Sequence, residues 1–121
     1  TDQNLRANPA DATNVVDKPL TFNTADANKG ANPNVAASAY TNNVAGTKTT
    51  TLYNIDSALD ALLTQNPPND GVLNTVGKLG VNVTSNAGFD VISSGDNNTA
   101  FAALQIEGEK TSKLYSINLT T

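Results

Sequence analysis

Asp56 and Asp60 are the nearest this chain comes to a catalytic pair. Folded across a tight turn, two carboxylates at this spacing could stand about 5 Å apart, the separation a retaining glycosidase needs for its nucleophile and its acid–base group. Asp70, Asp90 and Asp96 are the other carboxylates open to such a cleft, although Asp70 in NPPNDG and Asp96 in SGDNN read first as turn formers. The supporting residue types are missing. The chain has no His, no Cys and no Met, which excludes Ser-His-Asp and Cys-His triads, His- or thiolate-ligated zinc, haem with His or Met ligands and an imidazole pH switch. Acid–base and metal chemistry would fall to carboxylates, amides and hydroxyls alone, and no cofactor is expected.

Asp26-x-Asn28-x-Gly30 sets out oxygen ligands as a calcium loop does, but it lacks the third ligand position and the distant Glu of an EF-hand. An Asx-rich turn is the stronger reading of Asp26 and Asn28. Tyr40, Tyr53 and Tyr115 could form a stacking platform for sugars; equally, they are the largest payloads of a core otherwise built from small side chains. Arg6, the only Arg, suits an Arg–carboxylate bond as well as a ligand contact. Asn82, Asn97 and Asn118 open Asn-x-Thr triplets, which arise easily by chance in so Asn- and Thr-rich a chain.

A chain of 121 residues can support one core. Charged residues make up 15% of it, against about 25% in an average soluble protein, and the apolar residues are chiefly Ala, Val and Leu. Such a balance suits strands and turns with an uncharged polar surface. The net charge of −4 and scattered basic residues argue against a nucleic-acid partner, which needs clustered Lys and Arg. No apolar run is long enough to span a bilayer, and the polar Thr1-Asp2-Gln3-Asn4 start is no signal peptide, as in a mature secreted chain.

The elements that must carry these residues read as strands. Asn4 to Ala7 and Thr13 to Val16 flank an Asn-Pro-x-Asp turn, a hairpin signature, and residues 21–35 read as a long Asx-rich loop. Strands are predicted at Val35 to Thr41, Thr49 to Ile55, Ala61 to Gln65, Val72 to Val76, Leu79 to Val83, Gly88 to Ile92, Thr99 to Ile106 and Lys113 to Leu119. Gly77 reads as the end of one strand, and Ser93 to Asn98 as a loop. A helix over residues 55–65 competes, because Ile55, Leu59, Leu62 and Leu63 fall at helical spacing. A recurring phrase decides for strands: Leu52-Tyr53-Asn54-Ile55-Asp56 returns as Leu114-Tyr115-Ser116-Ile117-Asn118 and, more faintly, as Asn4-Leu5-Arg6-Ala7-Asn8-Pro9. The expected organisation is one all-β repeat domain over residues 1–121, with an incomplete repeat at 1–20, a repeat at 35–83 and another incomplete one at 88–121.

The segments QNLRANP, GANPNVAASAYTNN, TTTLYNIDSALDALLTQNPPNDGVLNTVGKLGV, GFDV, NTAFAAL and LYSINL resemble a family of bacterial extracytoplasmic proteins known only as domain of unknown function four-three-nine-four. The resemblance runs through essentially the whole chain. It implies a propeller-like or related fold of repeated antiparallel hairpins and meanders, and no activity. Family members carry further repeats before the QNLRxNP segment and a strand after LYxINL, so this chain resembles the carboxy-terminal part of the pattern. Strand edges left open there would be completed by neighbouring copies or by the remainder of such a domain, through Asn4, Leu5 and Arg6 at one end and Leu114, Tyr115, Ile117 and Leu119 at the other. The leading expectation is thus an extracellular, non-enzymatic structural or adhesive protein that self-associates. A propeller-like module binding a glycan or a protein is the alternative, and a carboxylate-based glycoside hydrolase a weaker one.

Overall fold

The computed structural model describes residues 2–95 and 97–121. It is all-β, as Thr- and Val-rich runs broken by Asn, Pro and Gly require. In chain order the strands are β1 (Leu5–Ala7), β2 (Asn14–Val16), β3 (Thr21–Phe22), β4 (Val35–Tyr40), β5 (Leu52–Asp56), β6 (Ala61–Gln65), β7 (Val72–Lys78), β8 (Val83–Ser94), β9 (Asn97–Ile106) and β10 (Ser112–Ile117). A 3-10 turn at Pro68–Asp70 joins β6 to β7.

Three sheets result. β1 and β2 form a two-stranded hairpin; β4 to β7 form an antiparallel meander that β3 extends in parallel beside β7; β8, β9 and β10 form a second meander. The described residues close no ring of blades. The edge strands β4 and β8 lie alongside each other, and Asn43 Nδ2 donates to the Val91 carbonyl at 2.8 Å, tying the two meanders together.

Alternation along the strands decides which face each side chain takes. Tyr53 and Ile55 on β5 and Leu62 on β6 turn toward the three-stranded sheet, where they pack with Val83, Ala102 and Leu104. Their neighbours Ala61 and Leu63 turn the other way and pack with Leu73 and Phe22. Phe22 arrives from the segment expected to be all loop. Its strand is only two residues long, but Phe22 and Leu20 supply the apolar cover the second core needs, which the surrounding Asn and Asp obscure in the sequence.

The helical alternative for residues 55–65 is excluded: β5 and β6 pair from Leu52↔Gln65 to Asp56↔Ala61. The reversal between them uses Asp60 at φ 51, a left-handed conformation that ends either kind of element. Two boundaries differ from expectation. β7 continues through Gly77 to Lys78, and the missing side chain there lets the Thr121 backbone come close. Residues 79–82 are not a separate strand but the crossing to the second meander, fixed where the Leu79 amide donates to the Asp60 carbonyl at 2.8 Å and the Val83 amide to Asp60 Oδ1 at 2.7 Å. The loop expected at Ser93 to Asn98 is narrower, since β8 and β9 pair as far as Ser94↔Asn97.

The recurring phrase takes two different places, the second strand of its meander as β5 and the last strand as β10. In both, the Tyr faces the core that the two meanders share.

Candidate functional site

Between the amino-terminal hairpin and one face of the five-stranded sheet lies a cleft of about 540 Å³. Its floor comes from cross-strand register. Tyr40 on β4 stands opposite Leu52 on β5, and Leu52 opposite Gln65 on β6, so all three project from one face. Tyr40 keeps 44% of its surface exposed, leaving an aromatic face open beside an aliphatic one.

A chain of hydrogen bonds stiffens the floor. Ser38 Oγ donates to Asn54 Oδ1 at 2.6 Å, Asn54 Nδ2 to Gln65 Oε1 at 3.0 Å, and Gln65 Nε2 to the Pro68 carbonyl at 2.7 Å. Asn54 is fully buried, where an unpaired amide would be costly, and these partners satisfy it.

The opposite wall is the hairpin. Its turn is held by Asn8 Oδ1, which accepts from the Ala10 amide at 3.0 Å, and by Asp11 Oδ1, which accepts from the Thr13 amide at 3.0 Å. Arg6 donates through Nε to Asp17 Oδ2 at 2.6 Å and through a terminal nitrogen to Asp17 Oδ1 at 3.0 Å. The Arg6 bond, more than desolvation opposes it, holds the Asp17 carboxyl below its ordinary value, while the same bond and the attraction of the carboxylate push the Arg6 guanidinium up. The arm is anchored to the meander where Asn4 Nδ2 donates to the Pro68 carbonyl at 2.9 Å and the Lys18 amide to the Asn69 carbonyl at 3.1 Å.

Of the three tyrosines, the structure brings only Tyr40 to this cleft. Tyr53 and Tyr115 are half-buried against the shared core, and the Tyr53 hydroxyl donates to the Leu119 carbonyl at 3.2 Å. Among the edge residues, Asn4, Leu5 and Arg6 line the cleft, while Tyr115, Ile117 and Leu119 pack on the shared core. Leu5 and Leu114 stay exposed.

The carboxylates Asp56, Asp60, Asp70 and Asp90 each have partners of their own. Asp56 is fully buried and accepts three main-chain amides, from Asn34, Ala58 and Leu59. Asp60 caps Val83; Asp70 pairs with Lys18 at 2.8 Å; Asp90 accepts from the Val91 amide at 2.8 Å. Asp96 lies outside the described residues. Among the described residues no group of three or more carboxylates could hold a metal ion. Asn82, Asn97 and Asn118 are exposed.

Asp26 and Asn28 act in a turn that clasps β7. Asp26 accepts from the Thr75 amide at 2.6 Å, the Thr75 hydroxyl at 2.9 Å and the Asn28 amide at 2.8 Å, and Asn28 Nδ2 donates to Thr75 Oγ1 at 2.8 Å. Burial pulls the Asp26 carboxyl upward, but these bonds together outweigh it and hold it below the ordinary value. A carboxyl whose folded value is depressed contributes stability above its unfolded value, near 4, and loses that contribution as pH falls through the folded one. Asp26→Asn therefore melts lower than wild type at neutral pH, by about 1 kcal/mol of stability, and the two melting curves converge below about pH 4. Melting temperature followed from pH 7 down to 3 checks this; a gap that stays constant would mean that Asp26 is not the titrating clasp.

Sequence reasoning singled out Arg6 and Tyr40 but not Asp17, Gln65, Asn54 or Leu52. One signal was available: in a hairpin turning at residues 8–13, Arg6 and Asp17 fall two positions apart across the strands, within reach of each other.

A family model described as Domain of unknown function (DUF4394) matches residues 1–121. No curated protein and no solved structure matches the chain.

Proposed function

We propose, for a chain that belongs to the family of Domain of unknown function (DUF4394), an extracellular structural or adhesive role without enzymatic chemistry, in which copies associate through the strand edges of the hairpin and of β10. The observation that carries this reading is the state of those two edges. Among the described residues β1 pairs only with β2 and β10 only with β9, so each strand has one unpaired row of N–H and C=O groups. Proteins that stay monomeric guard such rows with charge, Pro or a covering segment. Here the single charge on each edge strand is neutralised: Arg6 by Asp17, and Lys113 by Glu109 at 2.8 Å. What the edges present instead is apolar, with Leu5 at 52%, Val16 at 70% and Leu114 at 72% exposure.

Strand addition would supply the missing pairing, and a contact between β1 of one copy and β10 of the next would be heterologous, giving a ring or a filament. Sedimentation over a concentration series tests it. Wild type associates, and Leu5→Lys and Leu114→Lys each weaken association about tenfold or more, since a charge on an edge opposes pairing. Both positions are exposed, so the stability of the monomer changes by no more than about 0.5 kcal/mol. A wild-type protein that stays monomeric at the highest concentrations reached would end the proposal.

A further inference from the structure

We infer that the cleft between the hairpin and the five-stranded sheet is a binding site for a neutral oligosaccharide. This rests on the lining of the cleft, one wall of which is the hairpin itself. A volume of about 540 Å³ falls within the size of small-ligand clefts, roughly 300–1,000 Å³. The class of ligand follows from three features of the lining.

The first is charge. Arg6 and Asp17 are the ionised groups lining the cleft, and they are spent on each other, with both carboxylate oxygens bonded to the guanidinium. The pair is neutral as a whole: a cation would compete with Arg6 for Asp17, and an anion on the remaining Arg6 donors would lie beside the Asp17 carboxylate. A neutral ligand meets no such opposition.

The second is an open aromatic face. Tyr40 is nearly half exposed and, with Leu52 beside it, forms a flat apolar floor onto which the C–H face of a sugar ring can stack.

The third is the mixture of donors and acceptors around that floor. Asn4 spends its NH₂ on the Pro68 carbonyl and keeps its oxygen. Asp17 takes two of the five N–H donors of Arg6, and the others remain. Hydroxyls, which both give and accept, suit such a rim. A wholly apolar ligand would leave these groups desolvated and unpaired. Sugars combine an apolar ring face with a hydroxyl edge, and the bonded row Ser38, Asn54, Gln65 and Pro68 keeps the floor fixed, so little ordering is needed on binding.

Amide NMR titration of the whole chain tests this, using neutral oligomers of glucose, mannose, galactose and N-acetylglucosamine beside a uronic acid oligomer of equal length. At least one neutral oligomer gives saturable shifts centred on Arg6, Tyr40, Leu52 and Asn69. Tyr40→Ala weakens that binding about tenfold, and Tyr40→Phe, which keeps the ring, leaves it within about threefold. Tyr40→Leu keeps the aliphatic packing without the ring face and loses binding like Tyr40→Ala, which separates stacking from any loosening of the hairpin. Leu114→Lys binds as wild type, so failure of the assembly reading would not imitate failure here. The inference is overturned if no neutral oligomer gives saturable shifts, if only the uronic acid oligomer binds, or if Tyr40→Ala and Tyr40→Leu bind as tightly as wild type.

Discussion

Asp56→Ala lowers the stability of this fold by roughly 3 kcal/mol, because three main-chain amides lose their acceptor at once. The Asp56 side chain is fully buried. Oδ2 accepts from the Asn34 amide at 2.8 Å, where the chain enters β4, and Oδ1 accepts from the Ala58 and Leu59 amides, each at 2.9 Å, in the reversal from β5 to β6. One carboxylate thus fixes the start of one strand and the turn between two others. A domain of this size is stable by about 5–15 kcal/mol, so the change is a large fraction of the total. Asp56→Asn should cost about half as much, since its remaining oxygen can keep the two turn amides while the Asn34 amide faces an NH₂ group. Urea unfolding of the three proteins measures this through the midpoint at constant slope. Near-equal midpoints for wild type and Asp56→Ala would show that water replaces the carboxylate without penalty.

The same carboxylate illustrates what could be seen in the sequence and what could not. β5 and β6 were legible, because Leu52 to Ile55 is rich in strand-forming residues and Asp56 to Asp60 reads as a tight turn. That Asp56 anchors a turn depends on which amides surround it, and one of them comes from Asn34, far back in the chain. The tyrosines pose the same difficulty. All three sit in similar strand-like contexts, yet register puts Tyr40 opposite Leu52 on one face and Tyr53 opposite Ala39 on the other. A shift of one residue in that pairing would exchange their surroundings. Composition predicts that an aromatic residue is present, not which side of the sheet it takes.

The cleft was illegible for a related reason. It is assembled from residues 4–17 and from residues 38–69, two stretches brought together where Asn4 and the arm after β2 meet the 3-10 turn. Gly77 was misread because glycine usually marks a stop, whereas here it makes room for a neighbouring backbone. The gatekeeping charges on β1 and β10 were visible as residues. Their neutralisation by Asp17 and Glu109 is a property of the fold.

Gly71→Ala is expected to cost about 3 kcal/mol or more and to loosen the cleft, whereas Gly80→Ala costs only about 1 kcal/mol. Both glycines are left-handed, Gly71 at φ 65 and Gly80 at φ 78, so an alanine at either carries the same conformational penalty. They differ in what a methyl group would meet. At Gly80 nothing lies within 4 Å. At Gly71 the methyl would collide with the Pro19 carbonyl oxygen and would stand 2.7 Å from that of Lys18, both backbone atoms with no rotamer to yield. The Thr21 amide donates to the Gly71 carbonyl at 2.9 Å, so this close approach is also where β3 docks beside β7 and where the arm bearing the hairpin is held down. Relief of the collision must push residues 18–20 outward and carry β1 and β2 away from Tyr40. Chemical denaturation separates the two variants by about 2 kcal/mol, and only Gly71→Ala weakens saccharide binding. Equal losses of stability would mean that the left-handed backbone alone matters at Gly71; a destabilised Gly71→Ala that still bound as wild type would show that the wall formed by the hairpin does not depend on that contact.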